Sequence, residues 1–155
     1  MKKYELTEET FTVFGKTLYR IRAVRDFGSV KTGEFGGYIE KEENLSHFGD
    51  AWVYGNAKVY GDARVSGNAL VYGNAEVFNT RHFFVQGPIG SRDGYVTFYR
   101  TKDDTVEVRC GCFSGSLQEF VNQVEETHGG SRYEKEYKLA AELAKVCIRL
   151  EGESR

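Results

Sequence analysis

The sequence predicts a mainly β protein with a C-terminal α+β module. A short parallel β-helix of six-residue repeats is expected between an N-terminal β-hairpin cap and a β-β-α-α domain. Three observations predict it. From Gly49 the chain reads GDAWVY, GNAKVY, GDARVS, GNALVY, GNAEVF, five hexapeptides in one register ending at Phe78. Upstream, FTVF-GK-TLYRIRAV alternates apolar and polar residues around a Gly-Lys pair. Downstream of the single proline, Pro88, two strand-like runs are followed by two stretches with helical periodicity. The expected boundaries are 1–36 for the cap, 37–86 for the repeats and 87–155 for the C-terminal domain.

In the cap, Gly15-Lys16 suits a two-residue turn that wants glycine first. Alternation then turns Tyr19, Ile21 and Ala23 inward and Arg20 and Arg22 outward. The segment RDFGSVKTGEFGGYI reads as a glycine-spaced approach to the repeats.

Within the repeats, Gly recurs at 49, 55, 61, 67 and 73, each time followed by Asp or Asn. Ala recurs at 51, 57, 63, 69 and 75, and Val at 53, 59, 65, 71 and 77. A period of six reads as one short strand plus one corner, with three units closing a triangular coil. Val fills the interior, Ala fits a corner with room only for a methyl group, and Gly-Asn/Asp takes the left-handed backbone of the turn. Each coil contacts only its neighbours. Residues one coil apart should stack, Trp52 beneath Leu70 and Tyr54 beneath Tyr72, and this apolar face is the expected oligomer interface. A third face carries Arg64 and Ser66, with His82 and Phe84 above. So few coils leave both edges open and in need of caps.

An aliphatic residue followed four positions later by a small one (Val53 and Ala57, Val59 and Ala63) resembles the motif of the hexapeptide-repeat family. The stretch from Leu18 to Ala63 resembles the N-terminal region of uncharacterised bacterial and phage-encoded hexapeptide-repeat proteins. That resemblance implies a left-handed coil and a homotrimer; general crossover rules alone would favour the right hand.

The segment QGPIGSRDG marks a boundary. Beyond it, DGYVTFYRT and DTVEVRCGCF read as two strands joined at Lys102–Asp104. Ser116 and Glu119 form a capping box at the head of a helix whose apolar stripe is Leu117, Phe120, Val121 and Val124, stopped by Gly129-Gly130. A second helix opens with Ser131 and Glu134 in the same capping relation, and Tyr137, Leu139, Ala140, Ala141, Leu143, Ala144 and Cys147 keep helical spacing. The phrases GSR, TFYRT and CGCFSG resemble a tail domain of phage-encoded hexapeptide proteins.

Charge is nearly balanced, 21 Lys+Arg against 23 Asp+Glu. This argues against a nucleic-acid polymer held by phosphate neutralisation. No apolar run approaches the roughly 18 residues of a membrane span. The start MKKYELTEET turns acidic where a secretory signal would need an apolar run, and Cys110, Cys112 and Cys147 close no disulfide framework, so the expected setting is cytoplasmic. Cys110-Gly-Cys112 lacks the four ligands of a closed zinc site, and no phosphate-loop or dinucleotide fingerprint is present, so neither metal nor cofactor is expected.

The candidate site is one that would bind an anion. CGCFSGS leads from a strand end into a helix N-terminus at Ser114–Ser116, where N–H groups, hydroxyls and the positive helix end converge. The strand face opposite the helices should display Thr97, Tyr99 and Arg109, with Arg92 arriving on the linker. Arginine grips phosphate and tyrosine offers a stacking surface. The expected function is a non-enzymatic trimeric binding protein that captures a small anionic ligand, a nucleotide signal, between the C-terminal domain and the subunit interface. With the resemblance, that becomes a phage anti-defence sponge in the host cytoplasm. Two alternatives stand beside it: a hexapeptide-class acyltransferase with His82 as base, and a structural or protein-interaction trimer.

Overall fold

The structure, a computed structural model, describes residues 2–151. The chain divides after Thr80 into two compact units, each with its own core.

In the first unit, β1 (Tyr4–Val13) and β2 (Lys16–Ala23) form an antiparallel hairpin. Its loop is Phe14-Gly15, one residue earlier than expected, with Val13 paired to Lys16. Both loop residues have positive φ, 48° and 78°, as a turn matched to the strand twist requires. β2 pairs antiparallel with β3 (Phe35–Ile39), and the register slips between Arg20 and Arg22. A one-residue slip exchanges the faces of a strand. Leu18 is therefore buried beside Ile21 and Ala23, while Tyr19 is only half-buried. Nor is Arg20 a solvated outward charge. It donates to Glu9, to the Tyr38 hydroxyl and to the Gly36 carbonyl, and its guanidinium lies 4.4 Å from the Tyr38 ring centroid.

The repeats contribute four strands of two residues each: β4 (Trp52–Val53), β5 (Lys58–Val59), β6 (Leu70–Val71) and β7 (Glu76–Val77). β3, β5 and β7 run parallel and complete a mixed sheet of order β1-β2-β3-β5-β7, while β4 and β6 form a separate two-stranded parallel sheet. This corrects the expected fold. The molecule is not a regular left-handed parallel β-helix but three separate sheets, mostly antiparallel or mixed, plus two C-terminal helices. The physical reason lies on the third side of the expected prism. Arg64–Ser66 forms no strand, and a single bridge from Leu45 to Val65 stands where a continuous ladder was needed.

The six-residue spacing nevertheless decides which side chains go inside. The five valines of the register are fully buried and its five alanines at most 2% exposed. Its five glycines all have φ between 56° and 71°, backbone that costs glycine least. Gly37 answers a different need, because a Cβ there would lie 2.4 Å from the Ala57 carbonyl oxygen. Lys3 is buried against these repeats, its ammonium donating to the carbonyls of Ala51 (2.6 Å) and Gly49 (3.3 Å).

The second unit is a four-stranded antiparallel sheet of order β11-β10-β9-β8 with two helices on one face. Its elements are β8 (Phe83–Ile89), β9 (Gly94–Arg100), β10 (Val106–Cys110), β11 (Phe113–Ser116), α1 (Leu117–His128) and α2 (Arg132–Cys147). Four strands rather than two precede the helices, so the expected β-β-α-α order is short by β8 and β11. β8 also begins inside the segment assigned to the repeats. Val96, Phe98 and Val108 face Phe120, Val124, Ala140, Ala141, Ala144 and Ile148 in the core.

α2 departs from expectation in a way that matters for function. Its alanines point inward, while Leu139 (69% exposed), Leu143 (45%) and Val146 (69%) form an outward stripe. Among the described residues, no helix is long and apolar enough to cross a membrane.

Candidate functional site

The antiparallel register brings five of the expected ligand residues onto one sheet face. Thr97 lies between Val85 and Arg109, and Arg109 is opposite Ser114. One row away, Tyr99 lies between Phe83 and Glu107, and Glu107 is opposite Ser116. This is the face turned from the helices. Thr97 and Tyr99 are both fully enclosed, however, at 1% and 0% exposure. The helix end is occupied by its own residues: the Ser116 hydroxyl accepts from the Glu119 amide (3.1 Å), and the Glu119 carboxylate accepts from the Ser116 amide (2.8 Å). Those two donors are not offered to an anion. Glu107 adds a carboxyl to the same face, its pKa raised by burial and by nearby Glu119 and Asp103. Arg92 stands apart, in the turn between β8 and β9.

His82 also lies elsewhere than expected. It closes a short 3-10 turn and is buried rather than outward. Burial, reinforced by the Arg100 charge and opposed by Asp104, pushes its pKa down to about 4. At neutral pH it is an uncharged, enclosed imidazole. The other two histidines are held in packing. His47 stacks on Tyr4 at 4.1 Å and hydrogen-bonds Glu42 at 2.8 Å, while His128 packs against Tyr133 and Tyr137.

The expected oligomer face is rearranged by the cap. Trp52 is fully buried, its ring edge-on to Phe27 (5.1 Å) and Tyr4 (6.2 Å), so it belongs to the core and not to a subunit contact. Leu70 and Tyr54 are half-buried, and Tyr54 meets Tyr72, which is 36% exposed, edge-on at 5.9 Å.

The candidate site that geometry defines is a cleft of about 540 Å³ in the second unit, between the β8–β9 turn and the first three turns of α2. That is within the size range of small-ligand sites. The turn is fastened to the helix: Gly90 has φ of 79°, and its amide donates to Glu136 Oε1 at 2.8 Å. A Cβ at Gly90 would lie 1.9 Å from the Tyr137 hydroxyl oxygen, so only glycine permits this approach. Ile89, Ala140, Leu139 and Leu143 supply an apolar wall, with Tyr133 beside them.

Arg132, the first residue of α2, borders the cleft and makes no hydrogen bond or ion pair within the described residues. Asp93 and Glu136 also line it, the latter already engaged by Gly90. One available cation, an apolar wall and two carboxylates suit a ligand with a single anionic group and an apolar body. A polyanion would meet both acids.

Sequence reasoning missed this cleft because it depends on tertiary proximity between residues 86–93 and α2. One signal was present. α2 carries both a leucine and an alanine series at helical spacing, more apolar positions than one buried face can absorb. No family model matches the chain, and comparison with curated proteins gives no significant match.

Proposed function

We propose that the protein is a binding protein without catalytic chemistry of its own, and that its C-terminal unit captures a ligand bearing one anionic group against an apolar cleft. The observation that carries this reading is Arg132, an unpartnered guanidinium at the rim of a cleft walled by Leu139 and Leu143. Guanidinium is suited to gripping carboxylate or phosphate through paired hydrogen bonds. The enclosed, weakly basic His82 and the packing of His47 and His128 favour binding over base catalysis. Among nucleotides, the acids at the rim favour a single phosphate, as in a cyclic mononucleotide, over a triphosphate.

The test is thermal unfolding of the full chain with aromatic carboxylates, cyclic mononucleotides and nucleoside triphosphates. A ligand at one hundred times its Kd stabilises the native state by about 2.7 kcal/mol. A monoanionic probe should raise Tm in wild type and leave Arg132→Gln unmoved. Equal shifts in both proteins, or none with any probe, would defeat the reading.

A further inference from the structure

The cleft has a second wall of a different kind. β8 is an edge strand of its sheet, paired only with β9 among the described residues, and Gln86 on that strand lines the cleft facing α2. α2 runs back along β8: the Gly90 amide donates to Glu136 near the helix start, and the Arg149 amide donates to the Arg81 carbonyl (2.8 Å) just beyond its end. An open strand edge beside an apolar helix face makes a groove rather than a round pocket. An edge strand offers main-chain donors and acceptors to any extended chain laid beside it.

We infer that the natural occupant is an extended peptide, added as a fifth strand along Val85–Gly87 with a carboxylate at Arg132. This rests on the cleft being the binding site and names the class of its ligand. Dimensions agree. Arg132 and Leu143 are eleven residue steps apart, about 16 Å of helix, which an extended peptide covers in about five residues. Leu139 and Leu143, one turn apart, are separated by about 6 Å along the axis. Alternate side chains of a strand recur every 6.6 Å or so, so two apolar side chains of the peptide can each meet one leucine. Charge agrees too, since the cation stands at the Gly90 end, past Pro88, which offers no amide to continue the ladder. Main-chain pairing supplies affinity and the leucines and arginine supply selectivity, the division of labour seen wherever a peptide extends a sheet.

The experiment uses the full chain and fluorescein-labelled hexapeptides of sequence Gly-Thr-Val-Thr-Val-Leu, read by fluorescence anisotropy. One arm has a free C-terminal carboxylate, one is amidated, and one is amidated with glutamate replacing the first residue. A carboxylate-bearing arm should bind at least tenfold more tightly than the plain amide, and which one does identifies the carboxylate's source. Arg132→Gln should erase that difference, and Leu143→Asp, at an exposed position, should weaken the tighter arm at least tenfold. Methylating alternate backbone amides of the tighter peptide should abolish binding in one phase and spare it in the other. Binding should also slow hydrogen exchange at the amides of residues 85–87. Indifference to methylation in both phases, or unchanged exchange at 85–87, would overturn strand addition. If no peptide binds while a small monoanion still gives an Arg132-dependent Tm shift, strand addition falls and the cleft reading survives; if no probe of either kind responds, both fall.

Discussion

His82 shows most directly how burial sets chemistry. An imidazole whose folded pKa is about 4 against an unfolded value near 6.5 binds fewer protons folded than unfolded between those two values. Its contribution to stability is therefore fully present above about 6.5 and lost as pH falls toward 4. The loss between pH 7 and pH 5 is about 2 kcal/mol by linkage. The carboxylates Glu9, Glu40 and Glu134, held low by hydrogen bonds, yield only below their ordinary value of 4.5, and Glu107, whose pKa is raised by burial, acts in the opposite sense as pH falls, so the decline in this window belongs to the histidine. Urea unfolding at pH 7, 6 and 5 should show the decline, and His82→Gln should flatten it. A wild type equally stable at both ends would contradict the burial. The sequence placed His82 outward because it extended the six-residue register past Phe78. The backbone leaves that register in the 3-10 turn at Thr80–His82, and no residue there announces the change.

At the scale of elements, two glycines should respond very differently to the same substitution. Gly37→Ala drives a methyl group into the Ala57 carbonyl and the Val53 side chain, both within 2.7 Å. Gly67→Ala meets nothing within 4 Å and suffers only its φ of 66°. Left-handed backbone costs a side chain roughly 1 kcal/mol, whereas forced overlap in a packed interior costs about 1–3 kcal/mol or more. Chemical denaturation should rank Gly37→Ala clearly below Gly67→Ala, and a reversed order would mean β3 is packed otherwise. Ser116→Ala removes the hydroxyl that accepts from the Glu119 amide, and should cost about 1 kcal/mol. Both capping-box residues of α1 were legible because capping is local, whereas the same relation expected of Ser131 and Glu134 does not form: the Ser131 hydroxyl donates to the His128 carbonyl and Glu134 accepts from the Gly130 amide. The turn at Phe14-Gly15 and the slip after Arg20 were not, since pairing register depends on the partner strand.

For the whole molecule, the periodic valines and alanines announced which side chains would be inside, and they did not announce how much sheet would form around them. Two-residue strands and one bridge replaced the expected ladders, because a burial pattern constrains side chains more tightly than main-chain pairing. The candidate cleft was the least legible part. Arg132 and Leu139 read alone as a helix start and a core position, and their exposure follows from which face of α2 the alanines take. Protection from hydrogen exchange should follow the same architecture. Amides of β9, central in its sheet and buried over Val96–Arg100, should exchange slowest. Those of Glu8–Thr12, on the mostly exposed outer half of edge strand β1, should exchange fastest. Protection at 8–12 comparable to β9 would show that β1 is covered by something more.

Trp52 has one last consequence. It is the chain's sole tryptophan, sealed between Tyr4, Phe27 and the repeats. Its ultraviolet emission is therefore a reporter of the N-terminal unit, blue while the enclosure holds and shifting red when it opens.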